Sequence, residues 1–218
     1  MTNISLVEEI DLKVREKSLL KHPFYQMWAR GELTEEHLRG YSKEYFQLVK
    51  AVPLLVENTL AKSDSKSKKN IVSNLKEEEE HVALWVRFCS SLGISKNDLE
   101  RYNGHTKSNK AVNKLTTITS TSTFEEAVAA LYAYELELPQ ISESKIKGLK
   151  EFYGLDSSDA LIYFKTHEKA DVKHAAVWRR ILQNIHNEET QKLALEAAIK
   201  SLEAQNKLLD SVMEKYVN

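Results

Sequence analysis

A chain of 218 residues with a formal net charge of −1 is long enough to bury a sizeable core, and it offers no electrostatic case for binding nucleic acid or an anionic membrane surface. Its single cysteine, Cys89, excludes an intramolecular disulfide and fits a reducing compartment. No stretch approaches the roughly 20 apolar residues that span a bilayer, and the N-terminus does not read as a secretory signal, so the expected location is cytoplasmic.

Only six glycines and three prolines punctuate the chain, and strand-like alternation is missing. The expectation is an all-α protein: one domain over residues 1–218, a single bundle of seven or eight helices. The helices are expected over residues 5–20, 23–30, 34–61, 66–92, 109–119, 124–151, 157–186 and 188–215. Thr34, Ser65, Thr123 and Ser157 or Ser158 are candidate N-caps, and Thr123 with Glu126 fits a capping box. Gly31, Gly93 and Gly154 stand where helices should stop. Pro53 and Pro139 fall inside apolar helical patterns, so kinks are expected there. Residues 103–109 read as a polar loop, and the Lys-rich stretch 62–69 as a solvated turn.

In the helix expected over 66–92, the apolar stripe reads Ile71, Leu75, Glu78, Val82, Trp85, Cys89 and Leu92. Glu78 occupies a core position, and His81 lies three residues on, near the same face. Cys89 is on the stripe, which suits a buried inert thiol better than a nucleophile. The stripe over 124–138 reads Phe124, Val128, Leu131, Glu135, Leu138, with one carboxylate inside an oily seam. Further on, His167, Asp171 and His174 stand at i, i+4 and i+7, and Ala160, Phe164, Trp178 and Ile181 continue that ladder on either side.

A carboxylate buried between two imidazoles is costly to desolvate unless something compensates it, and a metal ion does so most simply. Three helices thus offer Glu78, His81, Glu135, His167, Asp171 and His174. Six mixed oxygen and nitrogen donors suit two iron or manganese ions better than one zinc ion. Glu-x-x-His on one helix, facing carboxylates on others, is the usual pattern of di-iron bundles. A buried polar network without metal is the competing explanation. Around the ligands lie Tyr163, one turn before His167, and Tyr134, adjacent to Glu135. Tyr25, Tyr41 and Tyr45 are the other aromatic candidates. Core tyrosines ordinarily pack and hydrogen-bond, but near an oxygen-activating metal pair a phenol is oxidisable. Lys145 follows Glu135 beyond the Pro139 kink; if buried, it would lose its charge readily and could act as an amine nucleophile.

Several runs together carry a family resemblance: His22-Pro-Phe-Tyr25 through Trp28 to Gly31-Glu-Leu-Thr34, Leu75-x-x-Glu78 with His81 and Leu84-Trp85, Ala130-Leu-Tyr-Ala-Tyr-Glu135-x-x-x-Pro139, Lys145-Ile-x-Gly148-Leu149, and His167-Glu-x-Ala-Asp171-Val-x-His174. Over nearly the whole chain these resemble CADD, the chlamydial protein associating with death domains, and its bacterial and archaeal relatives. These are PqqC/TenA-like, haem-oxygenase-like di-metal oxidases. The resemblance implies an oxygen-dependent para-aminobenzoate synthase for folate-type cofactors, using Fe/Fe or Fe/Mn, molecular oxygen and an external reductant. It further implies self-sacrifice: Tyr25 would supply the aromatic ring and Lys145 the nitrogen, with no external aromatic substrate. The six residues above would be the metal ligands. One departure stands out. The family places its first Glu seven residues before its His, whereas Glu78 precedes His81 by three, as if one helical turn were deleted, and Glu77 at i, i+4 is an alternative ligand.

Other classes fit less well. A TenA-like thiamin-salvage hydrolase needs a core cysteine after Tyr134, and the only thiol lies elsewhere. A PqqC-like cofactorless oxidase has no use for three carboxylates facing three imidazoles. A non-enzymatic interaction module needs an exposed face that the sequence does not reveal. A homodimer is compatible with the sequence but not required by it.

Overall fold

Polar caps placed between long amphipathic runs produce helices and no strand among residues 4–218, the part of the chain that the structure, a computed structural model, describes. The helices are α1 (Leu6–Glu16), α2 (Pro23–Arg30), α3 (Glu35–Val49), α4 (Val52–Leu60), α5 (Ser65–Ser91), α6 (Lys96–Arg101), α7 (Thr106–Thr121), α8 (Phe124–Glu135), α9 (Leu138–Glu151), α10 (Ser158–Leu182) and α11 (Glu188–Val212). A 3₁₀ turn at Leu19–Lys21 and a π-helical end at Met213–Val217 complete the set.

The all-α expectation holds, but the segments outnumber the seven or eight expected, for identifiable reasons. Pro53 has no N–H for the Val49 carbonyl and its ring crowds that oxygen, so the helix expected over 34–61 ends at Val49 and restarts at Val52. Pro139 does the same to Glu135, separating α8 from α9. What looked like two kinks are two breaks. The short α6 was not foreseen because six residues are too few for an apolar period to show; its capping box, Ser95 with Asp98, was the available signal. Helix α7 begins at Thr106, so the expected 103–109 loop shortens to residues 102–105. Asp64, not Ser65, caps α5 by accepting from the Ser67 N–H, so most of the Lys-rich stretch is the first turn of that helix. Thr34 and Thr123 cap as expected.

Helix α8 lies at the centre. Every residue from Ala127 to Glu135 is buried, because α7, α10 and α11 pack around it with α4. Long helices α5 and α10 run antiparallel, as two links show: Arg87 pairs with Asp159 at one end, and Glu77 meets His174 about three turns away along α5. Gly31 ends α2 at φ 71° with the Phe152 ring against it; a Cβ there would stand 2.5 Å from that ring. Helix α10 packs against both α5 and α8, so the three helices with interrupted apolar stripes meet along it.

Candidate metal centre and the buried aromatic chain

The inward ladder of α5 is Ile71, Asn74, Glu78, His81, Trp85 and Phe88, all buried. Leu75 and Val82, expected on it, are only half-buried beside it, so the ladder is more polar than an apolar reading of the sequence allows. On α10 the buried ladder runs Ala160, Phe164, His167, Asp171, His174, Trp178; Ile181 is half-buried at its edge. Glu135 is the last residue of α8 and is 1% exposed.

Six expected ligands converge. Donor atoms of Glu78, His81 and His167 lie within 4.8 Å of one another, and so do those of Glu78, Glu135 and His174. Glu78 belongs to both sets, with one oxygen 3.3 Å from His81 Nδ1 and the other 3.3 Å from His174 Nδ1. Asp171 joins the second set, 3.7 Å from His174 Nδ1. Glu77 stands at the edge of the cluster: its carboxylate is 42% exposed and lies 3.2 Å from the far nitrogen of His174. Orientation is set from behind. His167 Nδ1 lies 2.8 Å from the Tyr163 carbonyl, which can only accept, so Nε2 is left for the cluster. Trp178 Nε1–H donates to Glu135 at 2.6 Å.

Electrostatics show a site short of positive charge. Burial raises the Glu135 carboxyl far above its usual range, and the nearby His174 offsets this only in part. Burial raises Asp171 too. Burial would also raise Glu78, but the His174 and His81 imidazoles beside it outweigh that and hold the group well below the carboxylate range. His174 is pushed down by burial and up, more strongly, by Asp171 and Glu78, reaching about 11. His167 is lowered by burial. Every fully buried side-chain polar atom without a hydrogen-bond partner among the described residues belongs to His81, Glu135, Asp171, His174 or Asn74. Native interiors rarely leave such atoms unpaired, and here all but those of Asn74 belong to one cluster of the oxygen and nitrogen donors that iron and manganese take. The residues fit a two-metal centre.

The second cluster is aromatic. Lys145 is 4% exposed; its Nζ hydrogen-bonds the Tyr41 hydroxyl and lies 4.7 Å from the Tyr25 ring centre and 5.0 Å from that of Tyr45. Burial drives its amine well below the usual lysine range. The Tyr25 and Tyr41 hydroxyls are 3.3 Å apart. From there a line of rings leads to the candidate metals: Tyr41 to Tyr45 at 5.2 Å, Tyr45 to Trp85 at 5.1 Å, Trp85 to Tyr163 at 4.7 Å, and Tyr163 stacked on His167 at 4.0 Å. Tyr134 lies buried beside Tyr45, and burial raises the phenols of Tyr25, Tyr41, Tyr134 and Tyr163. The Cys89 thiol is buried and pushed up in the same way, as an inert core thiol should be.

A family model described as iron-containing redox enzyme matches residues 39–206, which include all six candidate ligands and Lys145. The chain belongs to that family. As an iron-containing redox enzyme it is an oxidoreductase, and its relatives agree. It is 33% identical over 220 residues to a 4-aminobenzoate synthase of Chlamydia muridarum, covering 97% of this chain and 92% of that one. It is 31% identical to a 4-aminobenzoate synthase of Nitrosomonas europaea, covering 99% and 94%. Among solved structures, a TenA homologue from Pseudomonas syringae superposes with a TM-score of 0.82 at 18% identity over 96% of this chain and 91% of that one. A CADD-like protein of Nostoc punctiforme gives 0.78 at 14% over 98% and 97%. At such identities the structures speak for the fold, which is the haem-oxygenase-like fold expected.

Sequence reading of this redox enzyme missed Asn74, Trp178 as the partner of Glu135, and Trp85 as the ring between Tyr45 and Tyr163. The residue seven before His81 is Asn74, buried on the same ladder as Glu78 and His81.

Proposed function

We propose that this protein is an oxygen-dependent, self-sacrificing 4-aminobenzoate synthase, in which Tyr25 supplies the ring and Lys145 the amino nitrogen. The observation that carries the reading is a buried amine, driven toward its neutral form, packed against the Tyr25 ring and joined by contacting aromatics to His167. The names of the relatives, at about a third identity over nearly full length, support the product.

Glu78, His81 and His167 would hold one ion, and Glu78, Glu135, Asp171 and His174 the other. A pair of irons, or iron with manganese, supplied with oxygen and an external reductant, brings the oxidising chemistry that amino acids lack. The chain's own residues do the rest. The Tyr163 carbonyl and Trp178 indole hold His167 and Glu135 in place. Tyr163, Trp85, Tyr45 and Tyr41 form an oxidisable path along which an electron can leave Tyr25. Tyr41 stands between the Tyr25 phenol and the Lys145 amine, so the phenolic proton has a line to a base as the ring is oxidised. The near-complete burial of this cluster keeps water from the oxidised ring.

Reduced, iron-loaded protein exposed to oxygen should release at most one equivalent of 4-aminobenzoate per chain with no aromatic substrate added. Ring-labelled tyrosine in the protein should appear in the product, and the mass loss should map to Tyr25. Tyr25→Phe should keep its metals and make no product. Many turnovers on an added substrate, or full activity of Tyr25→Phe, would replace self-sacrifice with a conventional di-metal oxidase.

A further inference from the structure

Asn74 is 1% exposed, and neither atom of its side-chain amide has a hydrogen-bond partner. A buried amide so placed is a standing cost unless something outside the chain satisfies it. The other unpartnered atoms all belong to the candidate metal cluster. Asn74 lies on the same ladder of α5, one turn before Glu78 and two before His81, where side chains four apart stand about 5–6 Å from each other at Cβ.

The two halves of the cluster are unequal. Glu135 and Asp171 give the His174 half two carboxylates of its own, whereas the His81 and His167 half has only imidazoles and a share of Glu78. That half has no oxygen donor beyond its share of Glu78, and the unsatisfied amide stands one turn from Glu78.

We propose that Asn74 is a neutral oxygen donor to the ion held by Glu78, His81 and His167, reaching it through its amide oxygen directly or across one ordered water. The inference rests on the cluster being a two-metal centre. Because an amide brings no charge, this half neutralises less of a divalent ion than the carboxylate-rich half. The centre should therefore load in two unlike steps, the Glu135, Asp171 and His174 half first.

Anaerobic calorimetric titration of the metal-free protein with Fe(II) or Mn(II) tests this. The natural chain should take two equivalents of unequal affinity. Asn74→Leu keeps the branched shape and deletes both polar atoms. It should leave the tight equivalent unchanged and weaken the other by about tenfold or more, in line with other outer groups of metal sites. Without metal, Asn74→Leu should melt no lower than the natural chain, since it removes an unpaired amide. Asn74→Asp adds the missing charge and should tighten the weaker equivalent by about tenfold, on the scale that outer groups tune metal sites. Unchanged affinities in Asn74→Leu would overturn the proposal, and if that variant does not fold, unchanged affinities in Asn74→Asp would do so. A natural chain that takes two metals while the variants match it defeats this inference alone. A natural chain that takes none defeats the metal centre as well.

Discussion

Lys145 shows how burial shifts a single side chain at the expense of stability. Its amine ends among the rings of Tyr25, Tyr41, Tyr45 and Phe164, and burial is what lowers its affinity for a proton. An unfolded lysine holds its proton up to about pH 10.4, so below that value the unfolded chain binds more protons than the folded one. Stability contributed at this position therefore rises with pH and is lowest where the unfolded lysine is fully charged. Lys145→Met keeps the chain length and deletes the amine. We expect metal-free Lys145→Met to melt above the natural chain at neutral pH, with the gap closing as pH approaches about 10, while 4-aminobenzoate release is abolished. Melting curves across that range check the sign. A variant that melts lower at neutral pH would mean the surrounding rings hold the charge more firmly than burial expels it.

At the level of helices, α2 and α9 must come close for Tyr25 to meet Lys145, and Gly148 permits it. A Cβ on Gly148 would stand 2.7 Å from the Trp28 ring and 3.1 Å from the Trp28 carbonyl. Gly148→Ala should push the two helices apart, costing about 1–3 kcal/mol, the range of overpacked cores. Its metal content should be normal and its product yield reduced, because α5, α8 and α10 are untouched; full yield would separate this contact from function. By contrast, Thr123 only caps α8. Thr123→Ala should cost about 1 kcal/mol and lower the melting temperature by about 2–4 °C with metals and product retained.

For the whole molecule, metal and proton compete for the same interior. In the metal-free protein, burial keeps Glu135 and Asp171 protonated above their usual range, and His174 is held up at about 11. All three have folded values above their unfolded ones, so their contribution is complete at low pH and is lost as pH rises through the folded values. Ligation removes those protons. Iron or manganese should raise the melting temperature, by more at about pH 8 than at about pH 6, with protons released in calorimetry. His174→Ala should abolish most of that rise. A metal effect independent of pH would contradict the protonation pattern.

What the sequence determined alone is what depends on local spacing. Helical period, caps and the scarcity of glycine and proline made the fold class legible, and the His167, Asp171, His174 ladder and Glu135 exposed the candidate ligands because each interrupts an apolar seam. Asn74 stayed hidden for the converse reason: Leu75 is adjacent, and a leucine is the better guess for a core position until the rotation of α5 is fixed by its packing against α10. The apolar period favoured Glu78 over Glu77, and the tertiary structure leaves the Glu77 carboxylate 42% exposed while Glu78 is buried. The contacts among Tyr25, Tyr41 and Lys145, and the ring path through Trp85, join α2, α3, α5, α9 and α10. Such contacts are set by how helices are placed against one another, through a glycine that allows close approach and prolines that break two runs, and no local pattern along the chain encodes the resulting distances.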